Sequence, residues 1–254
     1  MGRFLLIFSH YFKRNIMAPQ NLIFYVLLPL GLVMLNMLGN IGFVEMIAGE
    51  TIDTTALATL LAAAFMVSFQ FFSGEILIYS IYDDLKEGPV RWRLMASPVP
   101  QRTFLAGASM ASWLFNLLQG ILIFTVTALV FDIEWGNPLV LVAVLLIISI
   151  MSQLVAALIS QLAPKRKNAT VASMIFCFGQ MLLSGFFFVP LGNSAIATFL
   201  QEHGTPLSLA SRAILFAGPI LDDMSEAMFN IGVLAAITAV LAVLVFALGR
   251  RRRA

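Results

Sequence analysis

Charge is what this 254-residue sequence has least of: Asp, Glu, Lys and Arg make up 11 % of it, while 60 % is hydrophobic. So little polar surface excludes a soluble domain of ordinary size anywhere along the chain. Cysteine is reduced to Cys177, which excludes an internal disulfide and reads as a small core residue. The histidines, His10 and His203, lie far apart and form no metal-binding or catalytic set. No Gly-rich loop leads into Lys and Ser/Thr, so nucleotide binding in the P-loop manner is excluded, and no clustered nucleophile and base suggests a hydrolase. Internal repeats are missing, and the one biased segment is the four-Arg tail from Arg250 to Arg253, read as an orientation and headgroup anchor.

What is present is a series of long apolar stretches. Lipid offers no partners to free backbone groups, so stretches of about 20 apolar residues cross a bilayer as helices. The expected spans are 21–41, 56–79, 104–131, 138–162, 170–189 and 229–248. Cationic side chains resist translocation and set orientation. Arg3, Lys13 and Arg14 precede the first span; Lys86, Arg91, Arg93 and Arg102 follow the second; Lys165, Arg166 and Lys167 follow the fourth; the Arg tail follows the last. The alternate loops carry Glu45, Glu50, Asp53, Asp132, Glu134, Glu202, Asp222, Asp223 and Glu226, with Arg212 as their only base. The expectation is one all-α membrane domain over 1–254, with six transmembrane helices and both ends cytoplasmic. The net charge of +2 hides an asymmetry across the membrane and suggests no nucleic-acid partner.

Residues 1–19 read as an interfacial helix. Phe4, Ile7, Phe8, Tyr11 and Phe12 share one face, Arg3, Ser9, His10, Lys13 and Arg14 the other, and Leu6 and Asn15 break the pattern. Such a helix lies in the headgroup plane with its apolar face in lipid, before Pro19 turns the chain into the first span. A plain topology anchor is the alternative.

The loop at 83–103 has internal structure. Gly88 can cap a helix, Pro89 suits its first position and Pro98 stops it, giving about two turns. Exposed Arg91 and Arg93 are mixed there with Trp92, Leu94 and Met95, which reads either as a docking knob or as an amphipathic helix resting on headgroups. Glu87-Gly88, a short basic-apolar stretch, Leu94 and Ser97-Pro98-Val99 resemble the corresponding loop of type-two ABC exporter permeases, with Pro89 and one extra residue before Ser97 as departures. Ser184-Gly185 and the aromatic run to Pro190 are similar to the close of that family's fifth span.

Polar residues within the spans form helical stripes: Ser68, Glu75, Tyr79 and Tyr82; Ser109, Ser112, Asn116 and Gln119; Ser149, Ser152, Gln153 and Ser160; Thr170, Ser173, Cys177, Gln180 and Ser184. They are either interhelical glue or a weakly polar conduit. Glu75 is the one ionisable residue clearly within a span, with no Lys, Arg or His in any span to pair with it. Binding a cationic substrate group, gating, or sitting protonated all fit it.

The segment 191–228 holds two apolar pieces, around 195–200 and 206–217, too short to cross a bilayer and suited to re-entrant or surface helices. Thr205 and Pro206 start the second, and Arg212 has Glu202, Asp222 and Asp223 within reach for an ion pair.

The resemblance implies an elbow helix at 1–19, a coupling helix within 83–103, an external lid at 191–228, and a second permease chain, identical or similar. It implies a separate cytoplasmic ATP-binding cassette subunit carrying ATP and Mg, no cofactor on this chain, and export of an apolar or amphipathic compound across a bacterial plasma membrane. Glu87, Gly88, Arg91, Trp92, Arg93, Leu94, Ser97 and Pro98 would couple to the ATPase. Ser68, Glu75, Tyr79, Ser109, Ser112, Asn116, Gln119 and Gln180 are the pathway candidates. A scaffold or sensor that moves nothing, and a proton-driven transporter using Glu75, are the rival readings.

Overall fold

The computed structural model describes residues 2–35, 54–89, 91–184, 195–219 and 221–251, and every regular element among them is helical. Residues 36–41 of the first expected span, the acids Glu45, Glu50 and Asp53, the close of the fifth span at 185–190, the first residues of the lid segment and the tail beyond Arg251 lie outside the described residues.

Helix α1 is Gly2–Met17, and it meets α2, Pro19–Leu35, at a 65° bend. The bend sits at Ala18, whose extended backbone precedes Pro19, a residue that cannot continue the α1 hydrogen-bond ladder but suits a first helical position. The apolar face of α1 does not lie wholly in lipid as its pattern predicts: Tyr11 and Asn15 are buried, and the helix packs on α6 (Gln101–Val130). Gly107 of α6 allows this, since a Cβ there would come within 2.6 Å of Ile7 Cγ2.

The second expected span is longer and less regular than predicted. It comprises α3, Thr54–Phe72, a break at Ser73 and Gly74, then α4, Glu75–Ser80, running on through a wider π turn, Ile81–Lys86. The short α5, Arg91–Met95, follows; it is a five-residue helix where two turns were expected. Then come α6, α7 (Pro138–Leu162), α8 (Arg166–Leu183), α9 (Ala195–His203), α10 (Pro206–Phe216) and α11 (Met224–Arg251).

Among the described residues, four helical stretches are long and apolar enough to cross a membrane: Thr59–Lys86, Gln101–Val130, Pro138–Leu162 and Met224–Gly249, with the bent pair α1–α2 as a fifth candidate. Helix α8 is not among them, because its described length opens on Arg166, Lys167 and Asn168. The stretch Thr59–Lys86 is the axis of the bundle, with 89 % of its most apolar window buried, while α11 is peripheral at 11 %. Helix α10 packs against α3, α7, α8 and α11 and buries Leu207, Leu209 and Ile214, so it is an internal element of the fold. Thr205 and Ser208 form a reciprocal capping box at its start, satisfying donors that burial would otherwise leave unpaired.

Candidate functional site

The break in the central helix organises the site. At Ser73 and Gly74 the ladder tightens, the Gly74 N–H going to the Phe71 carbonyl (3.1 Å) and the Ile76 N–H to the Ser73 carbonyl (3.1 Å). Within a bilayer, backbone groups at such a break need partners from neighbouring helices. The Gln70 carbonyl accepts from Ser73 Oγ (2.8 Å) and from Asn116 Nδ2 of α6 (3.0 Å). The Phe71 carbonyl accepts from Ser152 Oγ of α7 (3.3 Å). In return, Gln70 Nε2 donates to the Asn116 carbonyl and to Ser149 Oγ, each at 3.4 Å. Gly74 is required by proximity, because a Cβ there would lie 2.9 Å from the Ser152 carbonyl oxygen.

One residue beyond the break stands Glu75, only 6 % exposed. The hydroxyls of Tyr25 on α2 and Tyr79 on α4 donate to its Oε2 over long distances, 3.5 and 3.4 Å. Its Oε1 is buried with no partner among the described residues. Glu75 and Tyr79 line a cavity of about 720 Å³ between α2, α3, α4 and α8. The walls are mostly apolar, including Phe65, Phe69, Phe72 and Phe178, with Gln20 and Asn21 as further polar groups.

Of the eight residues picked as pathway candidates, Glu75 and Tyr79 line this cavity. Ser68 bonds back to the Ala64 carbonyl of its own helix (2.7 Å), Ser112 faces Asn15 of α1 (3.5 Å), and Asn116 serves the break. Gln119 and Gln180 are buried, and Ser109 is half-buried. The stripe joining Ser68, Glu75, Tyr79 and Tyr82 divides, because the break and the π turn shift the helical phase. Tyr82 instead donates to the Ala163 carbonyl at the end of α7 (2.7 Å).

The loop after α4 is held from three sides. Arg14 of α1 pairs with Asp84 (2.6 Å) and donates to Ser80 Oγ (2.8 Å). Arg166 of α8 pairs with Asp83 (2.6 Å), its backbone N–H donates to Glu87 (3.1 Å), and its guanidinium lies 4.5 Å from the centre of the Tyr79 ring. Lys86 donates to the Ser160 carbonyl, so a cation meets the C-terminal carbonyls of α7. Gly88 accepts the Arg91 N–H at the start of α5 on its carbonyl (3.2 Å), and it passes so close to the Asp83 carbonyl that a Cβ would overlap it. Arg91 turns back to the Lys86 carbonyl (3.1 Å) and Ser97 Oγ accepts the Val99 N–H (3.3 Å). Leu94 lines a groove of about 400 Å³ with Leu85 and Phe104. Trp92 is left 70 % exposed, with Arg93 and Pro98 exposed beside it.

At the other end Arg212 pairs with Glu202 (3.4 Å) and lies over the Phe216 ring (5.2 Å). The other two acids have different tasks. Asp222 is in a tight turn with its N–H on the Gly218 carbonyl (3.1 Å). Asp223 caps α11, and the Ser225 hydroxyl (2.7 Å) with the Glu226 N–H (3.2 Å) holds its carboxyl below the usual carboxylate range.

Sequence reasoning missed Tyr25, Gln70 and the ion pairs of Arg14 and Arg166. Gln70 could have been found as a lone amide in an apolar run. Nothing in the pattern joins Arg14 to Asp84.

No curated protein and no solved structure matches the chain. The family described as ABC-2 family transporter protein matches residues 20–247, which takes in every helix from α2 to the greater part of α11. The chain therefore belongs to the ABC-2 transporter permease family, the membrane components of ABC transporters.

Proposed function

We propose that this chain is the single-domain membrane subunit of an ABC exporter, moving an apolar or amphipathic compound outward across a bacterial plasma membrane. The ends of the chain and the loop at 83–103 are cytoplasmic, α1 is the elbow helix, and α5 is the coupling helix. ATP and Mg are bound and used by a separate cassette subunit, and a second permease chain completes the transporter. The segment 191–228 closes its outer side, with the Arg212–Glu202 pair holding the lid.

The observation that carries this reading is a mechanical connection. The exposed Trp92 and Arg93 stand on a loop that continues through Lys86 into α4, and α4 begins at Glu75 beside the cavity. Aromatic and Arg side chains of this kind anchor protein interfaces. A push on α5 would pass along α4 and turn it about Ser73 and Gly74, where neighbouring helices already satisfy the broken ladder. Tyr79 and Glu75 would then move relative to Tyr25 and Phe178, changing the cavity. Glu87 and Gly88 shape the loop, while Leu94, Ser97 and Pro98 set the seat of α5.

The test is gentle purification from the native membrane, with mass spectrometry for a cassette ATPase in stoichiometric amount. Trp92→Ala with Leu94→Ala should remove the ATPase while leaving the membrane bundle folded. Retained ATPase in that double variant would refute the docking role.

A further inference from the structure

We infer that the cavity beside the helix break selects lipophilic organic cations, with Glu75 as the charge anchor; this rests on the transport reading above and names its substrate class. The carboxylate is 94 % buried by its 6 % exposure, yet it borders an open volume of about 720 Å³. That size is within the ~300–1,000 Å³ of sites that enclose drug-sized molecules. A buried carboxylate ordinarily collects short, charge-assisted bonds. This one has two tyrosine hydroxyls at 3.4 and 3.5 Å on Oε2 and no partner on Oε1 among the described residues.

The basic group beside Tyr79 is already engaged. Arg166 stacks on the Tyr79 ring (4.5 Å) while its guanidinium is bound to Asp83. No Lys, Arg or His of the sequence is placed within an expected span to neutralise Glu75 from another helix. The missing positive charge therefore has to arrive with a ligand or as a proton, and the walls suit a ligand. Phe65, Phe69, Phe72 and Phe178, together with Tyr25 and Tyr79, offer aromatic surface suited to a delocalised or alkylated cation. A small hydrated metal ion would find one carboxylate and no cluster of ligands, since no group of three or more His, Cys, Asp or Glu that could hold one occurs among the described residues.

The cavity is also reached from the apolar side. Phe24, Leu28, Met174 and Phe178 on its rim, from α2 and α8, are exposed. A lipophilic cation already partitioned into the bilayer enters there with its apolar groups leading and leaves its charge opposite Glu75. The low dielectric makes that charge pair selective: an anion of the same shape meets repulsion where the cation meets attraction.

The experiment uses the full chain in lipid nanodiscs, with empty nanodiscs subtracting membrane partition. Equilibrium dialysis measures binding of tetraphenylphosphonium and of tetraphenylborate, a cation and an anion of closely similar shape. The expected result is saturable binding of the phosphonium, at least about tenfold tighter than the borate, as a single charge pair in such a site provides. Glu75→Gln should bring the two affinities together by weakening the cation, and Glu75→Asp should keep the preference. Equal affinities in the wild-type chain, or a preference that survives Glu75→Gln, would overturn the inference. Should Glu75→Gln fail to fold, the wild-type comparison and Glu75→Asp still decide it. Co-purification of the ATPase is unaffected by either result, so failure of the cation anchor is distinguishable from failure of the exporter reading.

Discussion

At Gly74 and Gly88 a single methyl group is expected to act in two different ways. A Cβ at Gly74 meets backbone of α7, which cannot swing aside as a side-chain end can. Gly74→Ala should cost about 1–3 kcal/mol, the range for overpacking, and lower the melting temperature of the purified chain. A Cβ at Gly88 overlaps the Asp83 carbonyl, but this contact lies within a loop at the end of the bundle. Gly88→Ala should therefore leave melting nearly unchanged while displacing α5, weakening ATPase retention by roughly five- to thirtyfold if about 1–2 kcal/mol of docking is lost. Melting and co-purification measured on both variants check the contrast. Glu75 and Tyr79 were legible in the sequence because an acid and a tyrosine four residues apart stand out in an apolar helix. Tyr25 was not, since what joins it to Glu75 is the packing of α2 beside α4.

At the level of elements, α1 is fixed by one ion pair at its last turn and by Tyr11 and Asn15 against α6. Arg14 retains 39 % of its side-chain exposure, so solvent screens the pair despite the short distance. A double-mutant cycle with Arg14→Gln and Asp84→Asn should give a coupling of about 1 kcal/mol or less. Its structural consequence is larger: faster amide exchange should spread along α1 while α3 and α7 keep their protection. The first turn of α11 should respond to acid. Asp223 is lowered by bonds from Ser225 and Glu226, so its support is complete above the ordinary Asp value of about 3.9 and is lost as pH falls through the lower folded value. Amide exchange at Ser225 and Glu226 should rise in that acid window and not at neutral pH. Helical periodicity located α6 and α7 within a few residues, because nothing interrupts them. It failed past Gly74, where a break and a π turn move the side chains off the face that a regular helix assigns to them.

For the whole molecule, the alternation of basic and acidic loops is a property of the sequence itself, since charge asymmetry needs no tertiary contact to be read. The number of crossing helices was less legible: four or five qualify among the described residues, against six expected. The proposed orientation predicts opposite labelling of two engineered thiols. Trp92→Cys should react with a membrane-impermeant maleimide only from the cytoplasmic side, and Asp222→Cys only from outside. Cys177 is buried, so its background should be low. Labelling of both from one side would overturn the topology. Energy coupling separates the rival transport readings. ATP depletion with the proton gradient maintained should stop export, whereas a proton-driven carrier would continue.

The docking of α1 on α6 also sets a clock during synthesis. Asn15 must wait for Ser112, which lies 97 residues later, and Arg14 for Asp84, which lies 70 later. At about 5–20 residues per second, the first delay is roughly 5–20 s. Throughout it α1 has a basic face and an apolar one but no protein to lie against, so under the proposed interfacial placement the headgroup layer would serve as its temporary chaperone.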